Sequence, residues 1–224
     1  MGVRRTVGRK VGERIAPSVA SQYVRAVLDR AIDGVGPLRS AAASADSKLV
    51  DAGGDVEAAI SKLVRLHVTL AGAQGFVTNL GGVAAVAVAL PANVVGVTLV
   101  QCHLIAGIAH LRGYDLNDPR VRNAILVCML GEDSAKSLMK TSKIPASPLG
   151  IATAAAHDPT LDEHISREVT TDLIARTAGR RAVTLVGRRI PLLGGVVGGG
   201  SDAFMTWQLG RYAMKELVDR NLQR

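Results

Sequence analysis

Apolar side chains recur at spacings of three and four along most of this chain, the period of helices with one buried face. After Pro17, which suits a first helical turn, Val19, Tyr23, Val24, Val27, Leu28, Ala31 and Ile32 follow that period until Gly34 and Gly36 stop it. A short helix is predicted from Leu38 to Val50, ended by Asp51, Ala52, Gly53 and Gly54. Asp55 then reads as the N-cap of a long helix through Ile60, Leu63, Val64, His67 and Leu70 that frays near Gly75 to Gly82. Asp118 and Pro119 make a cap and first position for a helix running to Leu130. Residues 141–160, with Pro145, Pro148 and Pro159 among Ser, Thr and Ala, read as an internal loop. A further helix starts near Thr160, with Leu161, Ile165, Val169 and Leu173 four apart, and a last one runs from about Ser201 to Leu222. No stretch alternates polar and apolar residues as a strand does, so the predicted class is all-α.

The most apolar part, Gly81 to Leu111, divides at Pro91 into Val83–Leu90 and a helix of about twenty residues ending at Leu111. Residues 82–100 are long enough to test as a membrane span, but their seven Val and two Leu supply only about −3 to −5 kcal/mol toward insertion. Gly82, Pro91, Asn93 and Gly96 work against that sum, so a buried helical hairpin is the preferred reading. On a wheel of residues 92–111, Ala92, Gly96, His103, Gly107 and His110 fall in one narrow stripe, where a neighbouring backbone can approach closely. Ala203, Thr206, Gly210 and Ala213 make a similar face on the last helix, and the two faces are expected to meet or lie near one another.

Composition narrows the picture further. Nearly half of the 224 residues are apolar but only 3% are aromatic, which argues against stacking-based recognition of single-stranded nucleic acid or flipped bases. Two cysteines, Cys102 and Cys128, exclude a disulfide scaffold or a Cys-based zinc module and read as buried thiols. The net charge of +8 is uneven: residues 1–30 hold Arg4, Arg5, Arg9, Lys10, Arg14, Arg25 and Arg30 against Glu13 and Asp29. A second block, Arg176, Arg180, Arg181, Arg188 and Arg189, has no acid between Asp172 and Asp202. Such blocks attract phosphate, on nucleic acid or anionic lipid, but match no nucleic-acid recognition element. No apolar run follows Arg4 and Arg5, so the expected location is the cytoplasm, at the inner face of the plasma membrane.

Gly81-Gly82, Leu90-Pro91-Ala92-Asn93, Gln101, the run Ile105 to Asp115 and Asp118-Pro119-Arg120 resemble the central signature of the EcsC-type proteins. The segment Ile190 to Asp202, a Pro- and Gly-rich turn leading into the last helix, resembles the family's second signature. The resemblance spans roughly residues 55–220 and implies a helical, membrane-associated bacterial protein. The family takes its name from a protein encoded beside an ABC transporter. Its biochemical activity is not established, and it has no agreed catalytic residues to carry over.

Candidate chemistry is sparse. His103 and His110 share a helix face with His67 on the preceding helix, but a seven-residue spacing puts the pair about 10 Å apart along the axis, too far for one ion. They read as packing histidines. Asn93, Gln101 and Asp202 are polar groups in apolar surroundings; with His103 and His110 they form a candidate polar pocket, while Asn93 and Asp202 also read as helix caps. Asp115, Asp118 and Arg120 crowd one turn, where capping accounts for Asp118 and Pro119. No phosphate-binding loop, Gly-x-Ser-x-Gly or His-Glu-x-x-His motif is present.

The sequence therefore predicts a basic segment over residues 1–16 and a single EcsC-like helical domain over 17–224, built around a Gly/Ala-rich hairpin. The expected role is a non-catalytic accessory or scaffold protein, with no cofactor and no metal. Arg4, Arg5, Arg9, Lys10, Arg14, Arg176, Arg180, Arg181, Arg188 and Arg189 would face an anionic membrane surface or a membrane-protein complex. Two alternatives stand beside it: a protein binding a lipid or other hydrophobic ligand near the central hairpin, and one that inserts residues 81–111 into the bilayer.

Overall fold

The computed structural model describes residues 17–73, 92–187 and 194–220; side chains are described for 22–73, 95–176 and 200–220. Its helices are α1 (Pro17–Asp33), α2 (Ala41–Asp51), α3 (Val56–Gly72), α4 (Ala92–Leu111) and α5 (Pro119–Cys128). They continue as α6 (Glu132–Lys140), α7 (Pro148–Ala152), α8 (Pro159–Gly187) and α9 (Gly194–Glu216). The described residues form no strand, only an isolated bridge between Val35 and Leu38. The all-α class is confirmed.

Caps explain most of the boundaries. Ser40, Asp55, Asp118 and Ser147 each accept a backbone N–H of the first turn of α2, α3, α5 and α7. Gly34, at φ +92°, closes the turn between α1 and α2; a Cβ there would sit 2.7 Å from the Leu38 carbonyl oxygen, so only glycine fits.

Three elements differ from the sequence expectation. Residues 141–160 are not all loop: Pro148 takes the first position of α7, where its missing N–H costs nothing. Helix α5 ends at Cys128 rather than Leu130, and Gly131, at φ +74°, turns the chain into α6. Helix α9 begins at Gly194 rather than near Ser201 and ends at Glu216 rather than Leu222. Glycine disfavours a helix by only about 1 kcal/mol per residue, which tertiary context overrides.

Helix α4 is the hub. It packs against α1, α2, α3, α5 and α9, and Val95, Leu99, Cys102, Leu104, Ile105, Ala106, Ile108 and Ala109, spread all around its axis, are buried. A helix that is apolar on every side belongs in a core. Among the described residues no helix is long and apolar enough to cross a membrane. The other arm of the expected hairpin, residues 81–91, lies outside the described residues.

The small-residue stripe of α4 has a different partner from the one expected. A Cβ on Gly107 would lie 2.7 Å from Leu63 of α3 and 3.7 Å from Ala45 of α2, so the stripe admits α2 and α3. Helix α9 does reach α4, but on another side: a Cβ on Gly210 would meet Leu104 of α4 and Val64 of α3. A wheel finds which residues share a face and carries no information on which of several neighbours covers it.

Candidate functional site

The polar residues of α4 do not converge. Gln101 donates from Nε2 to Thr206 Oγ1 at 3.1 Å, and Thr206 in turn donates to the Asp202 carbonyl at 2.8 Å. His110 Nε2 lies 2.7 Å from Asp46 Oδ1 of α2 at the surface. Asn93 belongs to the first turn of α4, but its side chain lies outside the described residues. Asp202 falls inside α9 rather than at its start, so it is not the helix cap it was read as. Gln101 and His103 are both buried in close packing, each paired with a different neighbour. Of the expected polar pocket, Gln101, His103 and His110 are thus found in separate helix-to-helix ties.

One tie is unusual. His67 of α3 and His103 of α4 are 0% and 1% exposed, and His67 Nε2 meets His103 Nδ1 at 2.7 Å. The rings are inclined by only 25° with centroids 5.0 Å apart, so they meet edge to edge along the N···N line. The outer nitrogens face main-chain carbonyls: His67 Nδ1 is 2.8 Å from Leu63 O, and His103 Nε2 is 3.0 Å from Arg39 O. Burial pushes His67 down to about 3, helped by the neighbouring His103, and burial also lowers His103.

A second polar cluster joins α1, α5 and α8, and the sequence reading missed it. Asn123, 1% exposed on α5, accepts from Arg25 Nη2 at 2.6 Å and donates to Asp162 Oδ1 at 2.8 Å. Arg25 also donates to the Asp162 carbonyl at 2.7 Å, and His157 Nε2 lies 2.9 Å from Asp162 Oδ1. Burial works to raise the Asp162 carboxyl, but the His157 and Asn123 hydrogen bonds and the Arg25 charge outweigh it and hold it below the ordinary carboxylate range. This oriented Asp–His pair, with Arg25 and Asn123, ties three helices together; among the described residues no Ser, Thr or Cys side chain bonds to His157. The sequence signal available was Asn123 itself, a polar residue directly before the apolar run of α5.

Of the basic residues, Arg176 is turned inward. Its guanidinium lies 2.6 Å from Asp172 Oδ2 and donates to the carbonyls of Met129 and Leu130, where α5 ends. Its donors hold the end of a helix, so Arg176 is withdrawn from the set facing phosphate. Arg4, Arg5, Arg9, Lys10, Arg14, Arg188 and Arg189 lie outside the described residues; Arg180 and Arg181 lie on α8 with side chains outside them. Asp118 caps α5 and pairs with Arg120 at 2.5 Å, and Asp115 closes its own turn by accepting Asn117 N–H at 2.9 Å. Among the described residues no three His, Cys, Asp or Glu side chains are grouped to hold a metal ion.

The outer face of α9 carries what the composition hid. Phe204 and Trp207, the only tryptophan in the chain, are 58% and 42% exposed, stacked with centroids 5.9 Å apart. The Arg211 guanidinium lies 5.3 Å from the Trp207 ring centroid, in the range of a cation–π contact. Gln208 and Lys215 continue this exposed face, while Thr206, Leu209, Gly210 and Ala213 bury the other. The spacing of 204, 207 and 211 puts them on one helix face, but no local pattern tells which face of that helix is left uncovered.

No curated protein and no solved structure matches the chain. The model of the EcsC protein family matches residues 45–222, from within α2 to beyond the end of α9. That match takes in the hub helix, the Asp118–Pro119 cap and the glycine-rich entry to α9, and the chain belongs to the EcsC protein family.

Proposed function

We propose that this EcsC-family chain works without catalysis, as an accessory or scaffold protein resting on an anionic membrane surface with the outer face of α9 against the lipid. The observation that supports this is the exposed, stacked Phe204–Trp207 pair with the Arg211 guanidinium over the Trp207 ring. Tryptophan and arginine combine an apolar body with a polar end, the combination that settles at the headgroup level of a bilayer. The excess of positive charge, +8 over the chain, adds a long-range attraction of about 1 kcal/mol for each basic residue near the surface. The buried hub helix supports contact at the surface rather than insertion of its own apolar residues.

Flotation with liposomes tests the reading. The chain is expected to float with vesicles containing phosphatidylglycerol or phosphatidylserine at low salt and to be largely released near 1 M salt, where the screening length falls to about 3 Å. Equal flotation with neutral phosphatidylcholine vesicles, or none with either, contradicts it.

A further inference from the structure

The His67–His103 contact has a proton count that does not close. Three short contacts lie in a row: Leu63 O to His67 Nδ1, His67 Nε2 to His103 Nδ1, and His103 Nε2 to Arg39 O. Two neutral imidazoles bring only two N–H protons to fill them. In every neutral arrangement, one contact of 3.0 Å or less sets two lone pairs against each other. The least costly gap is at Leu63, whose carbonyl already accepts the main-chain N–H of His67 within α3. Arg39 lies in the turn before α2, and its carbonyl has His103 as its hydrogen-bond partner, so that contact keeps its proton. The arrangement is then His67 Nε2–H donating to His103 Nδ1 and His103 Nε2–H donating to Arg39 O, with His67 Nδ1 bare against Leu63 O.

A third proton on His67 Nδ1 would complete the row but leave a cation in a dry core. Among the described residues no opposite charge balances it. The titratable group beside His67 is His103, which faces the main chain of Arg39 and Ser40. Charged groups on the surrounding helices are engaged elsewhere. On α2, Asp46 pairs with His110 of α4, and Lys48 with Asp51. Glu57 of α3 pairs with Arg112, Arg65 of α3 is exposed, Arg211 of α9 lies over Trp207, and Lys215 pairs with Glu132.

We propose that the His67–His103 pair is an acid-released latch. With two protons between them the rings tie the 34–40 turn to α4 and α4 to α3. Proton uptake from solvent goes with parting of the rings, because only the opened pair can hydrate an imidazolium. Parting frees the Arg39 carbonyl and loosens the turn held by Val35, Leu38 and the Ser40 cap of α2.

The test uses the full chain. Nitrogen-15 spectra of the histidine side chains at pH 7 are expected to show both rings neutral, each with its proton on Nε2. After correction for intrinsic rates, protection of the Val35, Leu38 and Ala43 amides from hydrogen exchange should fall about tenfold or more per pH unit between pH 6 and pH 5. The variant His67→Gln keeps a donor toward His103 and removes one of the two titrating rings, so the fall in protection per pH unit should drop clearly below the wild-type value, with only the His103 share left. An imidazolium in the closed pair at pH 7, or equal acid responses in wild type and variant, overturns the latch. A uniform loss of protection over all helices, with none specific to the turn, overturns it as well.

Discussion

His67 and His103 show how much one buried contact can ask of its surroundings. Both rings bind a proton more weakly in the folded chain than in the unfolded one, where they titrate near 6.5. The unfolded state therefore holds more protons as the pH falls below about 6.5. The stability that depends on the neutral rings is present in full above that value and lost below it, at up to about 1.4 kcal/mol per pH unit for each ring. For His67 the loss continues toward a folded value of about 3. Urea titrations at pH 7.5, 6.5 and 5.5 should show this decline, and it should be halved or better in His67→Gln. Gly107 makes a second point at the same scale. With Leu63 Cδ2 only 2.7 Å from where its Cβ would be, and Leu63 itself fully buried, Gly107→Val should cost about 1–3 kcal/mol in the same titrations.

At the scale of elements, the caps decide where helices begin. Asp118 accepts the Arg120 N–H at 2.8 Å, so Asp118→Ala should lower unfolding stability by about 1 kcal/mol while Asp118→Asn retains most of it. Asn123→Ala should cost more, about 1–3 kcal/mol by thermal or chemical denaturation, because it strips a partner from both Arg25 and Asp162. These two sites also mark what the sequence disclosed. The Asp118–Pro119 start is written in two adjacent residues, and the period of Ile165, Val169 and Leu173 shows the buried face of α8 directly. The Arg25–Asn123–Asp162 brace joins residues 98 and 39 positions apart, and no local pattern encodes such a pairing. Pro148 carried two meanings, loop breaker and first helical position, and only the Ser147 cap beside it distinguishes them. The Gly-rich run before Ser201 was read as a turn because propensity disfavours a helix there, yet α9 runs through it.

Over the whole molecule, the central division is between an apolar helix held inside and an aromatic pair left outside. For the apolar stretch 82–100, Gly82, Pro91, Asn93 and Gly96 tell against insertion, and α4, which holds its second half, lies in the core; the first half, up to Pro91, lies outside the described residues. The exposed pair on α9 could not be weighed from composition, since the same few aromatics also include the buried Tyr23, Tyr114 and Tyr212. The basic blocks and the α9 face are complementary parts of one proposal: charge brings the protein to an anionic surface, and Phe204 and Trp207 give it a hold there. Trp207 is the chain's only tryptophan, so its emission reports on that face alone. The most direct measurement is its fluorescence on titration with anionic vesicles, some carrying bromine-labelled acyl chains. The account predicts a blue shift, quenching by bromines placed close below the headgroups, and binding weakened about tenfold or more in Phe204→Ala. An unshifted, unquenched Trp207 on vesicles to which the protein has bound would contradict it.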